Sequence, residues 1–141
     1  MFIFIERSNG DIDSDNGNGS TKKILVVEDE EFLGEVIKDS LTASGYAVLL
    51  ARDGQEYYKC IKSTVPDIAI LDMKLPDVTG VDLIKHLKAT YPEVPIIVNS
   101  AAVEYIEHPE VKPNIVCFLV KPTKMGELKA KIAETLNLCS K

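Results

Sequence analysis

From Lys22 onward, the sequence alternates short apolar runs with stretches of helical spacing, about five times in all. The runs are rich in β-branched residues and are bounded by turn residues, which is typical of strands. Because they lack polar alternation, they indicate strands buried on both faces, as in parallel sheets with helical connections. The pattern therefore predicts an α/β fold of three layers, with a five-stranded parallel sheet between helices.

Apolar spacing and turn residues also predict where each element begins and ends. Strands are predicted at residues 23–27, 46–50, 68–71, 96–99 and 115–120. Helices are predicted at residues 30–44, 54–63, 80–90 and 124–138, and Gly45 is the expected stop of the first helix. Pro109 and Pro113 limit residues 102–114 to a short helix.

Two of the predicted helices carry a clear apolar stripe. On the first helix, the predicted buried face consists of Phe32, Leu33, Val36, Ile37 and Leu41. On the last helix, it consists of Leu128, Ile132 and Leu136. These stripes are expected to pack against the sheet.

Length and composition limit the class of protein. The chain of 141 residues is enough for one domain with one core, and its net charge of -6 argues against a nucleic-acid surface spread over that domain. Residues 8–20 contain one apolar residue, too few to offset the entropy of ordering them. Residues 1–21 are therefore predicted to be a disordered leader, and residues 22–141 to be the folded domain.

Export, membrane insertion and zinc binding find no support in the sequence. The apolar run at residues 2–5 is too short for a signal-peptide core or a membrane span. Cys60, Cys117 and Cys139 form neither a CxxC motif nor a Cys/His cluster. An odd number of unclustered cysteines predicts reduced thiols and a cytoplasmic location.

Polar residues follow four of the predicted strands. Glu28 and Asp29 follow the first, Asp72 the third, Ser100 the fourth and Lys121 the fifth. The carboxyl ends of parallel strands share one edge, which is where open α/β sheets place reactive groups. Three crowded carboxylates favour a hard divalent cation, and Mg²⁺ suits oxygen ligands best. Asp72 could then act as a nucleophile toward a phosphoryl group, with the Lys121 ammonium and the Ser100 hydroxyl binding its oxygens.

Five sequence strings, in this order, carry a resemblance to a known family: ILVVEDE at residues 24–30, ARDGQE at 51–56, PDIAILDMKLPDVTG at 66–80, PIIVNSA at 95–101 and FLVKP at 118–122. Together they resemble the receiver domain of two-component response regulators, including the chemotaxis regulators. The resemblance covers nearly all of the chain after residue 21. It implies a flavodoxin-like α/β/α fold with strand order 2-1-3-4-5.

The resemblance also implies a role for each matching residue. Asp72 resembles the phospho-acceptor, and Glu28 and Asp29 resemble the acidic pair of the magnesium site, which the backbone carbonyl of Met73 would join. Lys121 resembles the family's lysine, Ser100 its switch hydroxyl and Phe118 its switch aromatic. The implied function is Mg²⁺-dependent transfer of a phosphoryl group from a phosphohistidine to Asp72. The donor would be a sensor histidine kinase or a histidine phosphotransfer protein, and a protein-interaction face would respond.

Several positions depart from the family pattern. Glu28 stands where Asp is commoner, and Thr123 where an aromatic residue is common. The resemblance implies that the positions of Lys74 and Ala101 tune the phosphate lifetime, and it gives no direction for the effect of a lysine at position 74. Residues 102–114 lack the usual fourth helix, which puts the output surface in question. The last predicted helix ends near Lys141, so the chain is expected to be either a stand-alone receiver or a fragment of a longer regulator, with an unknown downstream protein target and no nucleic-acid contact of its own.

Three other classes of protein remain as alternatives. A pseudo-receiver would use the fold for protein binding alone, but it usually lacks the acceptor, the acidic pair or the lysine. A phosphatase with an aspartyl nucleophile would resemble a pattern with a second Asp at the position of Lys74. A flavodoxin would need a phosphate-binding loop after the first strand. The sequence favours a signalling receiver that assists its own phosphorylation and dephosphorylation.

Overall fold

The computed structural model of the protein describes residues 21–139. The strands within this range are β1 (Lys23–Val27), β2 (Ala47–Ala51), β3 (Ile68–Leu71), β4 (Ile96–Ser100) and β5 (Cys117–Val120). The α-helices are α1 (Glu31–Ala43), α2 (Gly54–Ser63), α3 (Gly80–Thr90) and α4 (Met125–Cys139). The predicted leader, residues 1–21, lies outside the described residues except for Thr21, and it stays a prediction.

The five strands form one parallel sheet in the order β2-β1-β3-β4-β5. This is the flavodoxin-like order 2-1-3-4-5, so the predicted fold is confirmed. The chain first moves outward from β1 to β2, and then crosses back to β3 on the other side of β1. At such a switch point, the loops after the two strands diverge and leave a crevice at their carboxyl ends.

The apolar runs lack alternation because both faces of the sheet are covered. Along β1, Leu25 and Val27 belong to the core on the side of α2 and α3. Ile24 and Val26 belong to the core on the side of α1 and α4. Successive strand residues point to opposite faces, and here each face meets a helical layer. Leu128, Ile132 and Leu136 of α4 are buried in the second core, as predicted.

The predicted buried face of α1 is partly wrong. Ile37 and Leu41 are buried, but Phe32 is 81% exposed and Val36 is 36% exposed. The helix instead turns Gly34 toward the sheet, in line with Ile37 and Leu41. Because Phe32 and Val36 each lie two residues from Gly34, they sit about 200° around the helix from it.

Predicted and observed boundaries otherwise agree closely. The ranges of α2, β3 and α3 are the predicted ones, and α1, β2 and α4 differ by one residue at each end. Gly45 follows α1 with a φ of 100°, the left-handed conformation that a helix stop favours. β5 begins two residues later than predicted, at Cys117, although the Val116 N–H already donates to the Ile96 carbonyl at 2.7 Å.

Residues 102–114 contain no α-helix. They form two 3-10 helices, Val103–Tyr105 and Lys112–Asn114, in agreement with the limit that the prolines set. The segment is nevertheless packed, since Ala102 and Val111 are buried. Where the resembled family usually has a fourth helix before the fifth strand, this chain has two short 3-10 helices held against the core.

No helix between residues 21 and 139 is long and apolar enough to span a bilayer. The longest of them, α4, has 15 residues, against the roughly 20 that a membrane span requires.

Candidate functional site

Asp72 lies directly after β3, in the crevice at the carboxyl ends of the strands. Only 9% of its side chain is exposed to solvent. Oδ1 accepts a hydrogen bond of 2.6 Å from the Met73 N–H and a long one of 3.5 Å from the Lys74 N–H. Oδ2 accepts from Lys121 Nζ at 2.8 Å. The carboxylate is thus held between the backbone of its own loop and an ammonium group.

Lys121 joins two carboxylates that are far apart in the chain. Its Nζ lies 2.8 Å from Glu28 Oε1 and 2.8 Å from Asp72 Oδ2. Burial alone lowers the pKa of Lys121, but the hydrogen bonds and charges of Asp72 and Glu28 outweigh burial, so the pKa is raised above its usual value. The group therefore stays an ammonium at neutral pH.

Glu28 is the most deeply buried carboxylate of the site, with 2% of the residue exposed. Burial raises the pKa of Glu28, and the hydrogen bond and charge of Lys121 oppose that rise. Its Oε2 also accepts from the Glu30 N–H at 3.2 Å. Ionisation of the buried Glu28 therefore costs free energy, and a further cation beside the carboxylate would reduce that cost.

The acidic cluster fits a divalent metal ion. Glu28, Asp29 and Asp72 each offer a carboxylate oxygen, and these oxygens lie within 4.8 Å of one another. Asp29 is exposed, so the cluster opens toward solvent on its side. Hard oxygen ligands with room for water suit Mg²⁺. The Met73 carbonyl already accepts a 2.7 Å bond from the Gly80 N–H, and its role as a metal ligand stays a prediction.

Ser100 closes the site from β4. The residue is 1% exposed, and its Oγ accepts from the Ala102 N–H at 3.1 Å and from the Met73 N–H at 3.4 Å. Both bonds use the oxygen as acceptor, so the O–H remains able to donate. Ala101, the next residue, is exposed at the rim of the crevice. A phosphoryl oxygen on Asp72 would offer the Ser100 hydroxyl an acceptor.

Two of the predicted residues lie beside the crevice rather than in it. Phe118 pairs with Val98 in the sheet and packs, partly buried, against the core on the α2 and α3 side. Lys74 turns its ammonium to Glu104 Oε2, at 2.9 Å, while its backbone N–H faces Asp72. Both charged side chains of this pair are more than half exposed. The loop between β3 and α3, residues 72–79, is called the acceptor loop after the predicted role of Asp72. Lys74 thus connects the acceptor loop to the first 3-10 helix.

Sequence reasoning missed the contacts that three residues make at or near the site. Asp77 accepts hydrogen bonds from the first residues of α2. Glu104 binds Lys74, and Thr123 donates from Oγ1 to Asn99 Oδ1 at 2.7 Å. Asp77 stands within the string at residues 66–80, but nothing in that string indicates a partner so far away in the chain.

Comparison with known proteins identifies the family. The sequence matches the model of the response regulator receiver domain over residues 24–133. The chain belongs to the response regulator receiver family. Relatives include the chemotaxis protein CheY of Thermotoga maritima, which is 34% identical over 122 residues, covering 85% of this chain and 98% of that protein. The transcriptional regulatory protein CusR of Escherichia coli K12 is 35% identical over 116 residues, covering 81% of this chain and 51% of that protein.

Solved receiver structures share the fold. The response regulator TrrA of Thermotoga maritima, determined in complex with Mg²⁺-BeF, aligns with a TM-score of 0.74 at 29% identity, covering 81% of this chain and 98% of that one. A CheY-like receiver of Methanospirillum hungatei aligns with a TM-score of 0.77 at 25% identity, covering 86% and 98%. This receiver chain spans about half the length of several of its curated relatives.

Proposed function

We propose that this receiver domain accepts a phosphoryl group on Asp72 within a two-component or phosphorelay pathway. The observation that carries the proposal is the position of Lys121 Nζ, 2.8 Å from both Asp72 and Glu28 at the edge of the acidic cluster. A purely structural carboxylate would not need a partly buried ammonium, a second buried acid and an open, acidic side together.

Each residue of the site has a role in the proposed phosphoryl transfer. An Asp72 oxygen attacks the phosphorus of a phosphohistidine, the N–P bond breaks, and its electron pair stays on the imidazole nitrogen. Lys121 and the Ser100 hydroxyl bind the transferred oxygens, while the Met73 N–H holds the acceptor carboxylate in place. Mg²⁺, bound by Glu28, Asp29 and Asp72, would neutralise charge on the phosphoryl oxygens. Positioning and electrostatics supply the catalysis, so the domain assists its own phosphorylation and dephosphorylation.

A groove beside the crevice suits the phosphohistidine donor. It has a volume of about 410 Å³ and runs between α1 and the start of α4, with Leu33 and Met125 among its lining residues. Lys121 lines the same groove, so a donor bound there reaches the acceptor. The exposed Phe32 adds apolar surface on α1. The donor proposed is a sensor histidine kinase or a histidine phosphotransfer protein in the cytoplasm.

The response to phosphorylation is proposed to pass through Ser100 and Phe118 to residues 102–114. Ser100 Oγ holds the Ala102 N–H, so movement of the hydroxyl toward a phosphoryl group would release the start of that segment. Phe118 packs against the same core that contains Ala102 and Val111. A two-state change there would alter the surface offered to a downstream protein.

Intact-mass spectrometry tests the proposal. The protein is incubated with acetyl phosphate, with and without Mg²⁺, beside an Asp72→Asn variant of nearly equal size. We expect one added phosphoryl group, dependent on Mg²⁺ and absent from the variant. No gain in the wild type, with Tm unchanged by Mg²⁺, would leave the pseudo-receiver alternative, and continuous turnover of a generic phosphate ester would favour the phosphatase.

The Lys74–Glu104 ion pair leads to a prediction about phosphate lifetime. In Glu104→Gln, Lys74 loses its anionic partner and is free to bind the phosphoryl oxygens, where it shields the phosphorus from water. We expect the half-life of the phosphorylated protein to increase about two- to fivefold. This range corresponds to the free energy that one exposed ion pair contributes. Dephosphorylation is followed by intact mass after removal of the donor.

The matched control for that prediction is Glu107→Gln. Glu107 is an exposed acid of the same segment, and it pairs at 2.6 Å with Lys112, away from Asp72. Its replacement should leave the half-life unchanged. Equal half-lives in all three proteins would mean that Lys74 does not reach the phosphoryl group.

A further inference from the structure

The carboxylate of Asp77, in the acceptor loop before α3, binds the N-terminus of α2. Asp77 Oδ1 accepts from the Gly54 N–H at 2.8 Å, and Oδ2 accepts from the Gln55 N–H at 3.1 Å. These partners lie 23 and 22 residues away along the chain. The helix α2 already has a local cap, because Asp53 Oδ1 accepts from the Glu56 N–H at 2.8 Å. Asp77 therefore adds a connection between loop and helix, not the first cap.

The contact around Asp77 is close-packed. A Cβ at Gly54 would lie 2.6 Å from Val78 Cγ1 and 3.2 Å from Asp77 Oδ1. Glycine at this position lets the loop approach the helix until both carboxylate oxygens reach backbone N–H groups. The loop is thus fixed on α2 by two hydrogen bonds and by the packing of Val78.

The other end of this loop holds the acceptor. The Met73 and Lys74 N–H groups donate to Asp72 Oδ1, and the Met73 carbonyl accepts from the Gly80 N–H. Lys74 and Thr79 form an isolated antiparallel bridge across the loop. Because the loop is short and closed in this way, we expect a shift at Asp77 to move the amides that face Asp72.

We propose that Asp77 is a positioning residue for phosphoryl transfer: by binding the N-terminus of α2, it keeps the Met73 and Lys74 amides directed at the Asp72 carboxylate. This role rests on the proposed phospho-acceptor function. Within residues 21–139, the side-chain hydrogen bonds of Asp77 go to Gly54 and Gln55, and none joins it to Asp72. Its effect on the reaction passes through the backbone of residues 73–79.

Paired variants separate positioning from simple helix capping. Asp77→Ala and Asp53→Ala each remove a carboxylate from the same helix N-terminus, so both should lower Tm by similar amounts. Only Asp77→Ala should slow phosphorylation by acetyl phosphate, by roughly tenfold, because only Asp77 connects to the acceptor loop. Asp77→Asn keeps an oxygen that can accept from Gly54, and it should recover much of the rate.

Amide hydrogen exchange gives a readout that needs no phosphorylation. Exchange at Met73 and Lys74 should be faster in Asp77→Ala than in the wild type, and unchanged in Asp53→Ala. If both Ala variants show equal exchange and equal phosphorylation rates, the positioning role is overturned. If the wild type itself gains no phosphoryl group, the proposed function fails, whereas faster exchange in Asp77→Ala alone would still establish the connection between α2 and the acceptor loop.

Discussion

Replacing Lys121 by methionine should lower the free energy of unfolding by roughly 3 kcal/mol when divalent cations are removed with a chelator. Methionine keeps the apolar stem but deletes the ammonium that lies 2.8 Å from both Glu28 and Asp72. Their side chains are 3% and 9% exposed, so water cannot replace the lost partner well. Two buried carboxylates would then face each other unpaired. Urea unfolding followed by circular dichroism measures the change.

Magnesium should reverse part of that loss. In the variant, Glu28 and Asp72 have lost their ammonium partner, and a cation bound by the acidic cluster would take its place. Mg²⁺ should therefore stabilise Lys121→Met more than it stabilises the wild type. Lys131→Met is the matched control, because Lys131 lies on α4 with its Nζ 3.5 Å from the exposed Glu134 carboxylate and is itself 44% exposed. It should change stability by less than about 1 kcal/mol. Equal losses in both variants would contradict the structure of the site.

The stability difference between the wild type and Lys121→Met should depend on pH, and the pKa of Lys121 gives the direction of that dependence. The pKa of Lys121 is raised above its usual value of 10.5. A lysine with a raised pKa stabilises the folded state fully below its unfolded pKa, and the contribution is lost as pH rises through the folded pKa. The stability difference between the wild type and Lys121→Met should therefore be largest near neutral pH and should shrink above pH 10.5.

Replacing Gly80 by alanine should lower the free energy of unfolding by roughly 2–3 kcal/mol and slow phosphorylation at the same time. A Cβ at this position would lie 2.6 Å from the Asp72 carbonyl oxygen and 2.8 Å from Met73 Cα. Both atoms belong to the backbone, so the clash cannot be relieved by a side-chain rotation. The acceptor loop or the start of α3 must move, and the Met73 N–H moves with it.

Gly126→Ala provides the contrast on α4. A Cβ there meets nothing within 4 Å, and alanine favours the helix over glycine by up to about 1 kcal/mol. This variant should be as stable as the wild type or slightly more so, with an unchanged rate of phosphorylation by acetyl phosphate. If Gly80→Ala behaved like Gly126→Ala, the close approach of α3 to the acceptor loop would not exist in solution.

Much of the fold could be predicted because its signals are local. Apolar runs such as residues 68–71 cannot be left in water, and helical spacing between them fixes the alternation of strand and helix. The helix stop at Gly45 and the limit set by Pro109 and Pro113 depend on the conformations open to single residues. The polar residues after the strands could be placed at one edge because parallel strands end together. The grouping of Glu28, Asp29 and Asp72 into one acidic cluster followed from that edge.

Other predictions failed or could not be made because they depend on which surfaces meet. The apolar stripe of α1 includes Phe32, but packing turned Gly34 to the sheet and left Phe32 in solvent. The helix can rotate by a fraction of a turn without any change in its sequence pattern. Only contact with Leu50 and its neighbours decides how it lies on the sheet.

The sequence by itself thus determined the order of elements, the three-layer class and the set of polar residues at the carboxyl edge of the sheet, since these follow from local hydrophobicity and backbone chemistry. The tertiary structure alone decided how those residues are paired. It placed the Lys121 ammonium between Glu28 and Asp72, paired Lys74 with Glu104, and let Asp77 accept hydrogen bonds from the N-terminus of α2. Each of these contacts joins segments distant in the chain, and their distances are fixed only when the sheet and its helices pack into one core.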